Sequence, residues 1–152
     1  MRGSLWLRRA CQGDLDLLFE WVNDDAVRAN AFHTEKIPYE NHVKWFEKMM
    51  ADASVYQYVL CDDGTPVGQI RLNVEGSGAL IDYSVAPRQR KKGYGSEMLR
   101  MIQAQSAADM SSHVTKLIGQ VKYENHASAK AFEKCGFCRK DWPEYIQYEK
   151  EM

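Results

Sequence analysis

Between Arg88 and Ser96 the chain reads Arg-Gln-Arg-Lys-Lys-Gly-Tyr-Gly-Ser, a basic loop running directly into a Gly-x-Gly turn. Two glycines let the backbone approach a ligand closely, and the first-turn N–H groups of a helix that starts there have no intrahelical acceptor. With the positive end of the helix dipole added, such a place holds phosphate. Two common phosphate loops are excluded by the residues themselves. A dinucleotide fingerprint needs a third glycine where Met98 stands, and a Walker loop needs a Gly-Lys-Ser/Thr that is absent. A short Lys/Arg cluster read alone is equally a solvated cap on an ordinary helix. The order of parts favours a site: an apolar strand from Ala79 to Val85, Pro87 to stop it, the basic loop, then Tyr94, Met98, Met101 and Ile102 at helical spacing.

The elements that must position this loop follow from periodicity. Leu5 to Arg9 alternates as a first strand, and Asp14 is placed to cap a helix carrying Leu15, Leu18 and Val22, which Asn23-Asp24-Asp25 breaks. A second amphipathic helix starts at Pro38 and ends near Asp52. Val55 to Cys61 and Val67 to Val74 pair as a hairpin across Asp62-Asp63-Gly64-Thr65. In the second of these strands Gly68, Ile70, Leu72 and Val74 share one face, and Gln69, Arg71 and Asn73 the other. After the Gly93 helix, expected to reach about Asp109, Leu117 to Tyr123 is a fifth strand. Asn125 caps a short helix that Gly136 ends, and Phe137 to Lys140 with Tyr145 to Glu149 closes the chain as a hairpin. The order β-α-α-β-β-β-α-β-α-β-β predicts an α/β domain with a mixed sheet and helices on both faces, spanning residues 1–152.

Composition narrows the function classes. At 152 residues, 45% hydrophobic and 27% charged, the chain is long and apolar enough for one core. A net charge of -1 lacks the basic excess of a nucleic-acid binder. No apolar run approaches the ~20 residues of a membrane span, and Met1 to Arg9 has no signal-peptide core, so a cytoplasmic protein is expected. Cys135 and Cys138 form a Cys-x-x-Cys, but Cys11 and Cys61 supply no second pair. Reduced structural thiols at a helix end are expected, with no metal.

The ordered parts resemble the acetyl-CoA-binding motif of the GNAT superfamily of N-acetyltransferases, Arg/Gln-x-x-Gly-x-Gly/Ala, on Arg90, Gly93 and Gly95 with Val85-Ala86-Pro87 before them. A second segment, Asn125-x-x-Ser128 followed by Phe132-Glu133-Lys134-x-Gly136-Phe137, resembles that family's Asn-x-x-(Ala/Ser)…Tyr-Glu-Lys-x-Gly-Phe. The resemblance implies a central, mostly antiparallel sheet of six to seven strands, the fourth and fifth parallel and splayed. It implies acetyl-CoA as cosubstrate, with Arg90, Lys91, Lys92, Gly93, Tyr94, Gly95 and Ser96 at its phosphates. Tyr83 and Val85 would lie along its pantetheine arm, and Asn125 and Ser128 beside it. An amine then attacks the thioester directly in a ternary complex, which needs a positioned amine, a base, an oxyanion donor and an outlet for the thiolate.

On that resemblance the oxyanion donor is a backbone N–H at Ser84 or Val85, where the central strand stops pairing. The base is Glu124 or Asp82 acting through water. The family's tyrosine acid is replaced by Phe132, which has no proton to give. Ser128, Tyr123 or Tyr145 stands in, or no acid is needed for a leaving group with a free-thiol pKa of about 8.5. Trp21-Val22-Asn23-Asp24 through Phe32, with Ile37 and His42-Val43-Lys44-Trp45-Phe46, resembles acetyltransferases of nucleotide-linked amino sugars of the pseudaminic-acid type, and more loosely the ribosomal-protein N-terminal acetyltransferases. The acceptor contacts implied are Arg28, Asn30, His33, Tyr39, His42, Trp45 and Tyr83, and the partner a small amine, foremost a nucleotide amino sugar. An acyl-CoA-binding module without turnover is the non-enzymatic alternative, and a homodimer is compatible with this fold.

Overall fold

The computed structural model describes residues 3–152; Met1 and Arg2, at the head of the stretch searched for a signal peptide, lie outside the described residues. The chain runs β1 (Leu5–Arg9), a 3-10 turn (Gln12–Asp14), α1 (Leu15–Val22), α2 (Asp25–Asn30), α3 (Tyr39–Ala51), β2 (Val55–Asp62), β3 (Thr65–Glu75) and β4 (Gly78–Val85). A second 3-10 turn (Pro87–Gln89) leads to α4 (Tyr94–Asp109), β5 (Lys116–Val121), α5 (His126–Lys134), β6 (Cys138–Asp141) and β7 (Ile146–Glu151). The sheet has seven strands in the order β1-β2-β3-β4-β5-β7-β6. Within it β4 and β5 pair in parallel and the other neighbours antiparallel.

Alternation sorts the core into two layers. Tyr58, Leu60, Ile70 and Leu72 turn to the face where Met98, Leu99 and Ile102 of α4 and Ala131 and Phe132 of α5 pack. Val59 and Cys61 turn to the other, against Leu18 and Trp21 of α1 and Phe46 and Met49 of α3. Asp63 and Gly64 both take positive φ, 49° and 85°, the backbone a two-residue hairpin demands. Gly136 (φ 86°) ends α5 with the paired bonds Phe137 N–H to Phe132 C=O and Gly136 N–H to Glu133 C=O, so Cys135 and Cys138 flank a helix end that runs into a strand.

The structure departs from the expectations at several ends. Asp14 stands before α1 but does not cap it: its carboxylate accepts both guanidinium arms of Arg8 at 2.8 Å and the Cys11 N–H. Asp24, read as part of a breaker, instead caps α2, a six-residue helix that is too short for periodicity to reveal. Pro38 lies just before α3 rather than in its first turn. β5 ends at Val121, two residues early, and the last hairpin pairs Cys138–Asp141 with Ile146–Glu149.

The consequential feature is where β4 and β5 part. They pair only from Gly78 with Lys116 to Ile81 with Gly119. Beyond that β4 follows β3 to the Gly68–Val85 pair, whereas β5 follows β7 to the Val121–Ile146 pair. The buried Phe132 ring lies against Gly119 at this point, so close that a Cβ there would come within 2.3 Å of it. A wedge opens between the two central strands.

Candidate functional site

The loop before α4 has an unusual backbone. Lys91 takes φ 63° and Gly93 φ 84°, the left-handed backbone that occurs in anion-binding nests. Gly93 is the residue that precedes α4 and offers no side chain as a cap. Gly95 and Ser96 stand ahead of the first intrahelical bond, which Glu97 N–H makes to Gly93 C=O at 3.1 Å. Gly95 has a second duty: a Cβ on it would lie 3.3 Å from the Tyr83 ring and 3.8 Å from Val85, so its bareness lets α4 approach β4. Pro87 opens the turn that carries the chain from strand to loop.

From this loop a cleft of about 740 Å³ runs through the β4/β5 wedge to α1–α3. Of the residues expected at coenzyme A, Tyr83, Val85, Arg90, Lys91, Gly93, Tyr94, Gly95, Ser96, Asn125 and Ser128 line it. Lys92 does not, and its ammonium donates to Gln89 Oε1 at 3.0 Å. Arg90 is ion-paired to Asp24, which joins the basic loop to the start of α2. Burial pushes the Asp24 carboxyl up, but the Arg90 hydrogen bond and the Val27 and Ala26 N–H groups outweigh it and hold it below the usual carboxylate range. Asn125 spends its side-chain oxygen on the Ser128 N–H, capping α5.

Within the wedge, Ala86 N–H donates to Val67 C=O on the β3 side at 2.8 Å. Alternation therefore sends the N–H of Ser84 to β3 and that of Val85 toward β5, past the last β4/β5 pair. Phe132, at the position of the family's tyrosine, is a core residue, stacked on Tyr148 at 5.1 Å and edge-on to Tyr83 at 5.7 Å. One turn away the Tyr83 hydroxyl shares a 2.8 Å hydrogen bond with Ser128 Oγ. Burial pushes the Tyr83 hydroxyl up to about 12, against a lowering contribution from Ser128. Tyr123 and Tyr145 do not line the cleft, and Tyr123 donates to Trp142 C=O.

The end of the cleft under α1–α3 is floored by a polar row on that face of the sheet. Gln57 donates to Gln69 Oε1 at 2.8 Å, and Gln69 donates to Asp82 Oδ1 and Ser84 Oγ, each at 3.1 Å. Arg71 pairs with Asp82 at 3.4 Å and lies 5.0 Å over the Trp45 ring. Among the described residues Gln57 Oε1 is a buried oxygen with no partner. Asp82, expected on the strand, is half-exposed here rather than buried. Gln57 and Arg71 belong to this site without having been singled out for it. Arg71 had a signal in the polar face it shares with Gln69 and Asn73, whereas Gln57 stands alone among Val55, Val59 and Cys61 on its strand face.

Of the expected acceptor residues, Arg28, Asn30, His42 and Trp45 line the cleft. The Arg28 guanidinium is engaged by the carbonyls of Val22, His33 and Glu35, holding the loop after α2 in place. His42 is buried with a ring nitrogen 2.9 Å from Leu15 C=O. His33 and Tyr39 lie outside the lining, Tyr39 donating to Asp16 at 2.7 Å. Glu124 also lies outside it, exposed in the turn before α5. Over the α2 side, Lys122 donates to Ala29 C=O at 3.1 Å and Phe32 meets Tyr145 edge-on at 5.9 Å, tying the helical side to the β5–β7 side.

The chain is similar in structure to the spermidine N-acetyltransferase of Vibrio cholerae in complex with coenzyme A and spermine, with a TM-score of 0.85 at 17% identity over 97% of this chain and 95% of that one. It is similar to the aminoglycoside acetyltransferase AAC(6')-Ib in complex with coenzyme A and kanamycin, with a TM-score of 0.82 at 21% identity over 97% and 95%. It is also similar to RimL, the ribosomal L7/L12 alpha-N-protein acetyltransferase in complex with coenzyme A, with a TM-score of 0.83 at 15% identity over 98% and 94%. These likenesses establish the fold, while no curated protein sequence matches the chain. The model of the acetyltransferase (GNAT) domain matches residues 4–138, within which lie the loop before α4, the parted strands and most of the cleft, and the chain belongs to that family.

Proposed function

We propose that this chain transfers an acetyl group from acetyl-CoA to the amino group of a small molecule, by direct attack in a ternary complex. The observation that carries the reading is the continuity of one cleft: it joins a left-handed loop at the start of α4 to the wedge between β4 and β5, and then to a polar floor under α1–α3. The loop suits the pyrophosphate, through the amides from Lys91 to Ser96, and the wedge suits an extended arm that would pair with the edge of β4.

In the proposed reaction the amine nitrogen forms a bond to the thioester carbonyl carbon, the C–S bond breaks, and coenzyme A leaves as thiolate. Val85 N–H is the donor for the carbonyl oxygen as it becomes an oxyanion. Asp82, reached through water, first takes a proton from the ammonium so that the free amine attacks, and the second proton, which the nitrogen loses after attack, passes through solvent to restore the acid that protonates the thiolate. Tyr83, hydrogen-bonded to Ser128, returns a proton to the thiolate in place of the acid that Phe132 lacks. Glu124, exposed outside the cleft lining, is left without a part in this scheme.

The small-amine reading is supported by the coenzyme-bound spermidine and aminoglycoside enzymes that share the fold. The expected nucleotide amino sugar is a narrower form of it, in which Arg28, a cleft residue whose guanidinium also donates to three carbonyls, would face the phosphate. A thiol-release assay with acetyl-CoA decides among spermidine, kanamycin, a UDP-amino sugar and a peptide N-terminus. Turnover with one of the small amines is expected. Turnover with the peptide alone, or binding of coenzyme A without turnover on any acceptor, overturns the proposal.

A further inference from the structure

Resting on the reading of the cleft as an amine-acetylating site, we infer that Gln57 accepts a hydrogen bond from a second donor group on the acceptor, so that the acceptor is a polyfunctional amine rather than a monoamine. The inference follows from the direction of the hydrogen bonds along the floor. A carboxylate only accepts, so Gln69 must present its NH2 to Asp82, as it also does to Ser84, both at 3.1 Å. Its carbonyl is thereby turned to Gln57, whose NH2 donates to it at 2.8 Å. The Gln57 NH2 also faces the carbonyls of Tyr58 and Ile70 at 3.2 and 3.4 Å, and among the described residues its own carbonyl oxygen has no partner, in a residue 2% exposed that lines the cleft and also a smaller pocket beside Arg9 and Met49. Buried polar oxygens are nearly always paired, and in this inference the acceptor supplies the donor that the protein does not.

The other cation near the row does not supply that donor. Arg71 is engaged by Asp82 and lies over Trp45. Register sets Gln57 opposite Arg71 and Arg71 opposite Asp82, so the two acceptors sit in one row across three neighbouring strands. Two inter-strand spacings put their backbones about 10 Å apart. An amine reacting beside β4 can therefore carry its second N–H or O–H group toward β2.

The test is calorimetric titration of the protein–coenzyme A complex with putrescine, aminobutanol and butylamine, which share one amine and a four-carbon chain but differ in the second donor. Putrescine and aminobutanol are expected to bind about tenfold more tightly than butylamine, and Gln57→Met, its fold checked by thermal midpoint, to bring that ratio close to one. Equal affinities in the unmodified protein, binding of none of the three, or a preference that survives Gln57→Met overturns the inference. If Gln57→Met does not fold, the side-chain amide resonance of Gln57 decides: it must shift on adding putrescine and stay in place with butylamine. Because binding is the readout, absence of acetyl transfer to all three would count against the acetyltransferase reading and leave this result standing on its own.

Discussion

Tyr83 carries a hydroxyl into the cleft and keeps its proton there, because burial between β4, α4 and Phe132 disfavours the phenolate and pushes the group up to about 12. A raised value in the folded state means that the protonated form persists through the working range. A proton donor of this kind gives no basic limb to the rate profile from neutral pH to about 10. Replacing Tyr83 with Phe is expected to lower kcat by about 100-fold, the lower end of the usual range for a general acid because a thiolate leaves readily, while acetyl-CoA still binds. The pH dependence of kcat in the two proteins checks this. A basic limb present in the unmodified protein and missing in Tyr83→Phe would show that Tyr83 titrates within that range and remove it as the acid.

At the scale of elements, the approach of α4 to β4 couples the Gly93 loop to the strand that lies along the cleft. Gly95 permits it, since any side chain there meets the Tyr83 ring and Val85. Valine at position 95 is expected to push α4 away, weakening acetyl-CoA binding at least tenfold and destabilising the fold by about 1–3 kcal/mol from overpacking. Alanine at position 93 acts differently. It strains a residue at φ 84° by about 1–2 kcal/mol. Parallel measurements of thermal midpoint and coenzyme affinity separate the two effects, and a valine at 95 that left both unchanged would contradict the close packing described. The same reasoning explains why α2 escapes periodicity. Six residues with no buried position have no apolar stripe to read, and what holds the helix is the Asp24 cap, the Arg28 bonds and Lys122.

At the scale of the molecule, the Arg90–Asp24 pair ties the basic loop before α4 to the start of α2, which borders the other end of the cleft. Binding at one end is therefore expected to influence the other. Asp24→Ala and Arg90→Ala should each raise the acceptor Kd measured with coenzyme A bound, and the double variant should cost less than the sum, by an interaction of about 0.5–3 kcal/mol. Strictly additive effects would sever the proposed link. The pair itself is expected to persist above the ordinary carboxylate range. Asp24 has a folded value below its unfolded one, so its contribution is full above about 4 and is lost as pH falls through the folded value.

How much of this was legible beforehand depends on the range of the interaction. Strand alternation, the Asp-Gly hairpin, Gly136 at a helix end and the Gly93 helix are set by neighbours a few residues apart, and they stand where the sequence places them. Asp14 was misjudged because a nearby cap and a bidentate Arg8 compete for one carboxylate, and only the fold brings Arg8 into reach. Glu124, His33 and Tyr39 bear suitable groups, but their distance from the cleft depends on how turns and helices are set in three dimensions. Gln57, Gln69 and Asp82 lie on three different strands, and Tyr83 and Ser128 are 45 residues apart. By itself the sequence determined the strands, the longer helices, their order and the glycine-led start of α4, since dihedral preference and hydrophobic period act locally. The tertiary structure alone decided which hydroxyl stands near the missing acid, which backbone N–H faces the wedge and which carbonyl lacks a partner, because each depends on strand pairing that brings distant residues within hydrogen-bonding reach.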